Sequence, residues 1–152
     1  MSRKSAFTLI ELMLVVAILV DLAVIALPAF IRSRNQAQNT KYISDLRTAA
    51  AAFEMYAAEN NAYPPDGTPG VVPPGMSLYL KGVDWVNLNS LSGSWKWMLN
   101  EYSTTAQVGV ILTSPASDVR MADIDRRIDD GVLATGAFRK QSSTVFTYTI
   151  ER

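Results

Sequence analysis

From Leu12 to Ile31 the chain is almost unbroken apolar sequence, with one carboxylate just ahead of it, Glu11, and one inside it, Asp21. As a helix rising ~1.5 Å per residue, this run reaches about 30 Å, the thickness of a bilayer's hydrocarbon core. Past Pro28 the pattern turns from uniform to periodic. Tyr42, Leu46, Ala49, Phe53 and Tyr56 recur at steps of four and three, which sets them on one helix face, with Lys41, Asp45, Arg47 and Glu54 between them. The run Ala49-Ala50-Ala51-Ala52 adds helix propensity, and Asn60-Asn61 followed by Pro64-Pro65 ends it. One helix from Phe7 to Asn60 is therefore expected, about 80 Å long at ~1.5 Å per residue. Pro28, which lacks a backbone donor and crowds the preceding turn, is expected to weaken it locally and to act as a hinge.

After the helix the period shortens. Tyr63 to Gly82 is rich in proline and glycine and reads as a long connecting loop. Short extended segments follow at Asp84–Leu88, Trp95–Leu99 and Gln107–Leu112, the last the most apolar. A second helix is expected from Val119 to Asp129, with Met121, Ile124 and Ile128 inward, Ser117 or Asp118 as its cap and Gly131 at its exit. Phe138 and Thr144–Ile150 read as a closing hairpin around Gln141-Ser142-Ser143. A long helix followed by antiparallel strands is an α+β arrangement in which a small sheet rests on the helix stripe.

Composition narrows the function. Of 152 residues, fourteen are Lys or Arg and fourteen Asp or Glu, so no basic surface points to nucleic acid. Cysteine and histidine are both absent. Ser-His-Asp and Cys-His triads, disulfides and His- or Cys-ligated zinc are thereby excluded. No phosphate-cradling glycine loop is present, and the chain reads as a non-enzyme.

The first residues carry the most specific signal. Arg3 and Lys4 precede the apolar run, which orients the N-terminus to the cytoplasm and the remainder outside; Arg32 and Arg34 beyond its far end weaken that bias. A cleaved signal peptide would need a small-residue site such as Val24-Ile25-Ala26, and an uncleaved anchor needs no carboxylate at all. A charge in the apolar span costs about 2.5–3.5 kcal/mol on insertion scales, so Glu11 and Asp21 ask for a purpose.

The stretch Ala6-Phe7-Thr8-Leu9-Ile10-Glu11, with the basic leader before it and Pro28 beyond, resembles the processing site of type IV prepilins and type II secretion pseudopilins. The resemblance covers the chain to about Tyr63. It implies a pilin-like fold and a division into a leader at 1–6, a transmembrane and assembly half-helix at 7–31, an exposed amphipathic half at 32–61 and a sheet domain at 62–152. It further implies cleavage between Ala6 and Phe7 by a prepilin peptidase that also methylates the new Phe7 amine. Glu11 and Pro28 are then assembly positions, Glu11 serving to neutralise that amine on its own or a neighbouring subunit. The implied partners are identical or related pilin subunits, the peptidase/methyltransferase, an inner-membrane assembly platform and the bilayer. The implied location is the bacterial inner membrane, single-pass with the C-terminal domain periplasmic, and then a periplasmic or cell-surface filament. The sequence departs from the family twice: Ala6 stands where glycine is usual, and Asp21 lies in a normally uncharged part of the helix. Asp21 is either protonated in the membrane or paired with a cation from a neighbouring subunit.

Two clusters offer other chemistry. Asp118, Asp123, Asp125, Asp129 and Asp130 supply the oxygen ligands that a hard cation such as calcium takes, with Asp123, Asp125, Asp129 and Asp130 as the candidates. Their spacing matches no EF-hand loop, and the interleaved Arg120, Arg126 and Arg127 favour a solvated helix face with local ion pairs and no cofactor. Trp85, Trp95 and Trp97 would be the platform of the alternative reading, a single-pass membrane-anchored extracytoplasmic binding domain, or else core packing, which is favoured.

Overall fold

The computed structural model describes residues Thr8 to Glu151. Helix α1 (Leu9–Asn60) is followed by a loop with two short 3-10 turns (Met76–Leu78 and Leu80–Gly82). Then come strands β1 (Gly93–Leu99) and β2 (Ala106–Leu112), helix α2 (Asp118–Ile128), and strands β3 (Phe138–Lys140) and β4 (Val145–Glu151). The architecture is α+β, a long N-terminal helix and a small antiparallel sheet, as the periodicity implied. The chain forms two compact units, one ending at Ala37 and the other beginning at Gln38, so the division falls within α1 and not at its C-terminal end.

In the first unit the described part of α1 is exposed throughout and largely apolar: Leu12, Leu14, Val16, Leu19, Leu22 and Leu27 are each more than half exposed. The helix continues unbroken through Pro28, which has no N–H to offer the carbonyl four residues back. Neither a break nor a change of helix type marks the expected hinge.

The second unit is built on the stripe. Tyr42, Leu46, Ala49 and Phe53 of α1 are buried against the sheet, with Tyr56 packed at the edge of the same core. The four strands lie in the order β1-β2-β4-β3 with every neighbouring pair antiparallel. Register brings Trp95 opposite Val110 and Trp97 opposite Val108 on the β1–β2 side, and Phe146 opposite Val110 on the β2–β4 side. These alternate residues form the inner face, as the period of two requires. Tyr42 stacks on Trp95 with ring centroids 5.3 Å apart, and Phe53 on Trp97 at 3.9 Å; Trp85 lies at 6.0 Å from Trp95 and 5.6 Å from Phe53. Such aromatic pairs add about 0.5–1.5 kcal/mol each beyond the area they bury. Burial raises the Tyr42 phenol far above its usual range.

β2 lies between β1 and β4 and is covered on both faces. Outward-facing Gly109 has no side chain, and the Met98 methyl fills the space a Cβ would take. Gln107 beside it is fully buried and donates from its amide nitrogen to the Glu101 carbonyl at 2.7 Å.

The proline-rich loop is ordered by backbone pairing, not by prolines alone. Gly67 donates to the Trp97 carbonyl at 3.1 Å and Gly70 to that of Trp95 at 2.8 Å, so the loop runs along the free edge of β1 and covers donors and acceptors that would otherwise be open to another chain. Trp97 Nε1 donates to the Pro64 carbonyl and Trp85 Nε1 to that of Val71, both at 2.9 Å. Gly75 takes a φ of +81 with the Tyr56 ring against it, a position that requires glycine.

Two local expectations are corrected. Asp84–Leu88 is not a strand: the Asp84 carboxylate accepts from the Asn87 backbone and amide, which folds the segment into a bend while Trp85 is drawn into the core. Those same bonds, the side-chain one foremost, hold the Asp84 carboxyl below its usual range. At the head of α2, Ser117 occupies the cap position with extended backbone, but its side chain makes no capping bond. At the other end Gly131, with φ of +83, makes the exit as expected.

Candidate functional site

Ala6 and Phe7, the expected processing positions, lie outside the described residues. The adjoining geometry begins at Thr8. Its carbonyl accepts the first backbone bond of α1 from Leu12 at 3.3 Å, and its hydroxyl accepts from the Glu11 N–H, also at 3.3 Å. Thr8 is thus the N-cap of the helix, and Thr8-Leu9-Ile10-Glu11 has the spacing of a capping box. A carboxylate in this first turn also meets the positive end of the helix dipole, worth about 0.3–1 kcal/mol when exposed. Glu11 therefore has a local reason to be tolerated. The Glu11 carboxylate itself makes no hydrogen bond or ion pair among the described residues, and neither does Asp21.

Between Glu11 and Arg32 the sole charge on α1 is Asp21. An 18-residue window of this helix has a mean hydropathy of 2.8 with none of it buried, long and apolar enough to cross a membrane. Ten residues separate Glu11 from Asp21, about 15 Å along the axis and some 80° around it. The two acids consequently occupy different heights and different faces.

The aspartates expected as a group are divided by the structure. Asp118 pairs with Lys140 at 2.6 Å, tying the start of α2 to the end of β3. Asp123 pairs with Arg127 one turn on at 3.2 Å and accepts from the Asn39 amide at 3.4 Å. Asp125, Asp129 and Asp130 do come together, one carboxylate oxygen from each lying within 4.8 Å of the others. Asp125 is fully buried and both its oxygens lack a hydrogen-bond partner. Burial first, then the charges of Asp130 and Asp129, push its carboxyl up to about 6. The residues fit a hard cation in ligand type, and the orphaned oxygens are of the kind such an ion satisfies.

The three tryptophans are core, none more than 2% exposed, so the ligand platform of the alternative reading is not present. A polar contact that the sequence did not announce fastens α2 to α1. Arg120 donates from Nε to Asn39 Oδ1 at 2.9 Å and from Nη2 to Gln38 Oε1 at 3.0 Å, and Arg47 donates to the Arg127 carbonyl at 3.2 Å. Asn39 sits three residues before Tyr42 on the helical stripe, a phase that could have marked it as inward-facing.

Residues 1–27 match the family model described as the prokaryotic N-terminal methylation motif. The chain is 44% identical over 62 residues to the type II secretion system core protein G of Pseudomonas aeruginosa, 41% of this chain and 44% of that protein. The corresponding protein of Klebsiella pneumoniae is 38% identical over 64 residues, 42% of this chain and 46% of that one. The type IV wide pilus major component PilA4 of Thermus thermophilus is 38% identical over 63 residues, 41% of this chain and 48% of it. The chain thus aligns with less than half the length of these relatives. In fold it resembles the major type IV pilin PilA1 from Clostridium difficile, with a TM-score of 0.56 at 16% identity over 78% of this chain and 97% of that one. The chain therefore carries the prokaryotic N-terminal methylation motif, is similar over its first part to type II secretion core proteins and a type IV pilus component, and shares the fold of a type IV pilin.

Proposed function

We propose that the chain is the precursor of a filament subunit, of a type IV pilus or a type II secretion pseudopilus. It inserts as a single span with its N-terminus cytoplasmic, is cut between Ala6 and Phe7, and is methylated on the Phe7 amine. It then polymerises through α1 with identical or related subunits. A prepilin peptidase and an inner-membrane assembly platform are its transient partners and the bilayer its store. The observation that carries this reading is the methylation motif over residues 1–27, set directly on an apolar half-helix that the fold leaves wholly exposed. A surface of that size and hydropathy is stable only in lipid or against other helices.

Within this scheme the filament does mechanical work and no chemistry. Apolar burial of α1 supplies the driving force. Glu11 supplies register, because an acid in an apolar stack is tolerated only where it meets a cation, and cleavage creates one on Phe7. Asp21 makes the same demand one and a half nanometres further along and leaves the helix two positions at which a neighbouring cation is favoured.

Cells carrying the assembly machinery test the proposal. Filaments sheared or released from such cells are expected to contain the chain when the prepilin peptidase is present and to lack it when the peptidase gene is removed. Immunoblots of the filament and membrane fractions read this out. Retention of the chain as a membrane-bound monomer with the complete machinery would contradict it.

A further inference from the structure

We infer that the cation Asp21 requires is Arg34 of a second copy of this chain, lying parallel to the first and staggered along α1. The inference rests on the filament reading and deepens it, by naming the contact that a neighbouring subunit makes with this acid.

Asp21 has no partner within its own chain. It is exposed on an apolar helix, and none of the ion pairs among the described residues involves it. One turn away on either side stand Ala17, Ile18, Val24 and Ile25, none of which carries charge. The cations of α1 are Arg32, Arg34, Lys41 and Arg47. Lys41 pairs with Asp45, and Arg47 donates to the Arg127 carbonyl. Arg32 and Arg34 are exposed and enter no ion pair among the described residues. Even Arg32 starts about 16 Å along the axis from Asp21, beyond the joint reach of the two side chains on one helix. An acid inside a bilayer-length apolar span and two unpaired guanidinium groups just past its end complement each other only between copies.

Helical phase chooses between the two arginines. Copies that met through the same patch without stagger would set Asp21 against Asp21, which repels. A growing polymer uses head-to-tail contact instead, in which two different faces of each copy meet. Arg32 lies about 20° from the line of Asp21 around the helix, whereas Arg34 lies some 140° away. Arg34 shares that far side with Ala23, Ala26, Leu27 and Phe30, which line an open apolar groove.

The groove and the arginine agree in height as well. Helical side chains lean toward the N-terminus, so the long Arg34 side chain reaches back over roughly one turn, while the short Asp21 stays near its own level. Bringing the two charges together displaces one copy from the other by about 15 Å along the axis. At that stagger Leu14, two turns before Asp21 and on nearly the same line, comes level with Ala23 and Ala26 of the second copy. A branched side chain then faces two small residues while the ions meet further along. One register satisfies both contacts.

Filament yield from cells carrying the assembly machinery tests this, with membrane-bound subunit scored on the same samples. Arg34→Gln is expected to lower the ratio of filament to membrane subunit by about tenfold, because it strands Asp21 in the apolar stack. Arg32→Gln should stay near the wild type, and Asp21→Asn/Arg34→Gln should recover most of what Arg34→Gln alone loses. The chain has no cysteine, so a crosslink gives a readout that does not depend on yield. Asp21→Cys/Arg34→Cys, carried into filaments by co-expressed wild type, should form linked dimers with a bismaleimide of arginine length, and Asp21→Cys alone should not. Wild-type yield from Arg34→Gln, no recovery in the double variant, or dimers from Asp21→Cys alone would each overturn the pairing while wild-type filaments leave the filament reading standing. Absence of filaments from the wild type itself would overturn both.

Discussion

Replacing Glu11 by leucine is expected to leave the chain inserted and cleaved but to remove it from filaments. The substitution makes the first turn of α1 more apolar, so insertion should improve: a charged residue costs about 2.5–3.5 kcal/mol near the centre of a span and less at its edge. Assembly should suffer for the opposite reason. In the proposed filament, cleavage before Phe7 would bring each subunit's amine into the apolar stack, and Glu11, four residues along, would receive it. Stranding one member of such a pair costs about 3–5 kcal/mol, two to four orders of magnitude in an equilibrium constant. Thr8 caps the helix through its own hydroxyl, so the turn itself should survive the loss of the carboxylate. The measurement is the ratio of filament to membrane-bound subunit, with cleavage scored on the same samples. Filaments at wild-type yield from Glu11→Leu would refute the assignment of register to this acid.

Trp97→Ala is the change expected to cost the sheet domain most. The indole is fully buried, stacks on Phe53 at 3.9 Å and donates to the Pro64 carbonyl at 2.9 Å. It therefore couples α1, β1 and the proline-rich loop through one side chain. Truncating a buried tryptophan costs about 3–5 kcal/mol, from lost transfer energy and the cavity left behind. A buried carbonyl left without its donor adds to that. Against a total stability of about 5–15 kcal/mol, the result is a domain near its threshold of folding. For a domain of this size the melting temperature should fall by roughly 10–25 °C. Trp97→Phe keeps the stack and loses only the donor and part of the volume, so its drop should be less than half as large. Thermal melts of the full chain in detergent, followed by circular dichroism, distinguish these outcomes.

The features most legible in the sequence were those set by local periodicity. The stripe from Tyr42 to Tyr56 could be read because a step of 3.6 leaves few choices for which side is buried, and the same rule exposed Met121, Ile124 and Ile128 on α2. The motif around Glu11 was legible for a different reason, since a charge in an apolar run is conspicuous wherever it stands. Strand order was not legible. Nothing in Gln107–Leu112 says that its neighbour across the sheet is Val145–Glu151, because pairing joins segments far apart in the chain and no local period records it. The segment Asp84–Leu88 misled for a related reason. Its apolar alternation is that of a strand, but Asp84 and Asn87 bond to each other and Trp85 is buried by a loop.

Among the acids, composition grouped five residues that the helix separates. Asp125 follows Met121 by four positions and so shares its inward face, whereas Asp123 lies off that face beside Arg127. Helical phase could have made that distinction before any coordinates, since it is phase that buries Asp125 and leaves Asp118 and Asp123 to surface ion pairs. The contact of Arg120 with Asn39 and Gln38 links residues eighty apart in the chain, and no local pattern encodes it.

The central claim, that this is a processed filament subunit, is most directly tested at its N-terminus. The subunit should be recovered from membranes of cells expressing it with a prepilin peptidase, and its intact mass and first residues determined by mass spectrometry. The expected product begins at Phe7 and carries one methyl group on the α-amine. A chain that still begins with Met1, or one that starts near Leu27, would contradict the account.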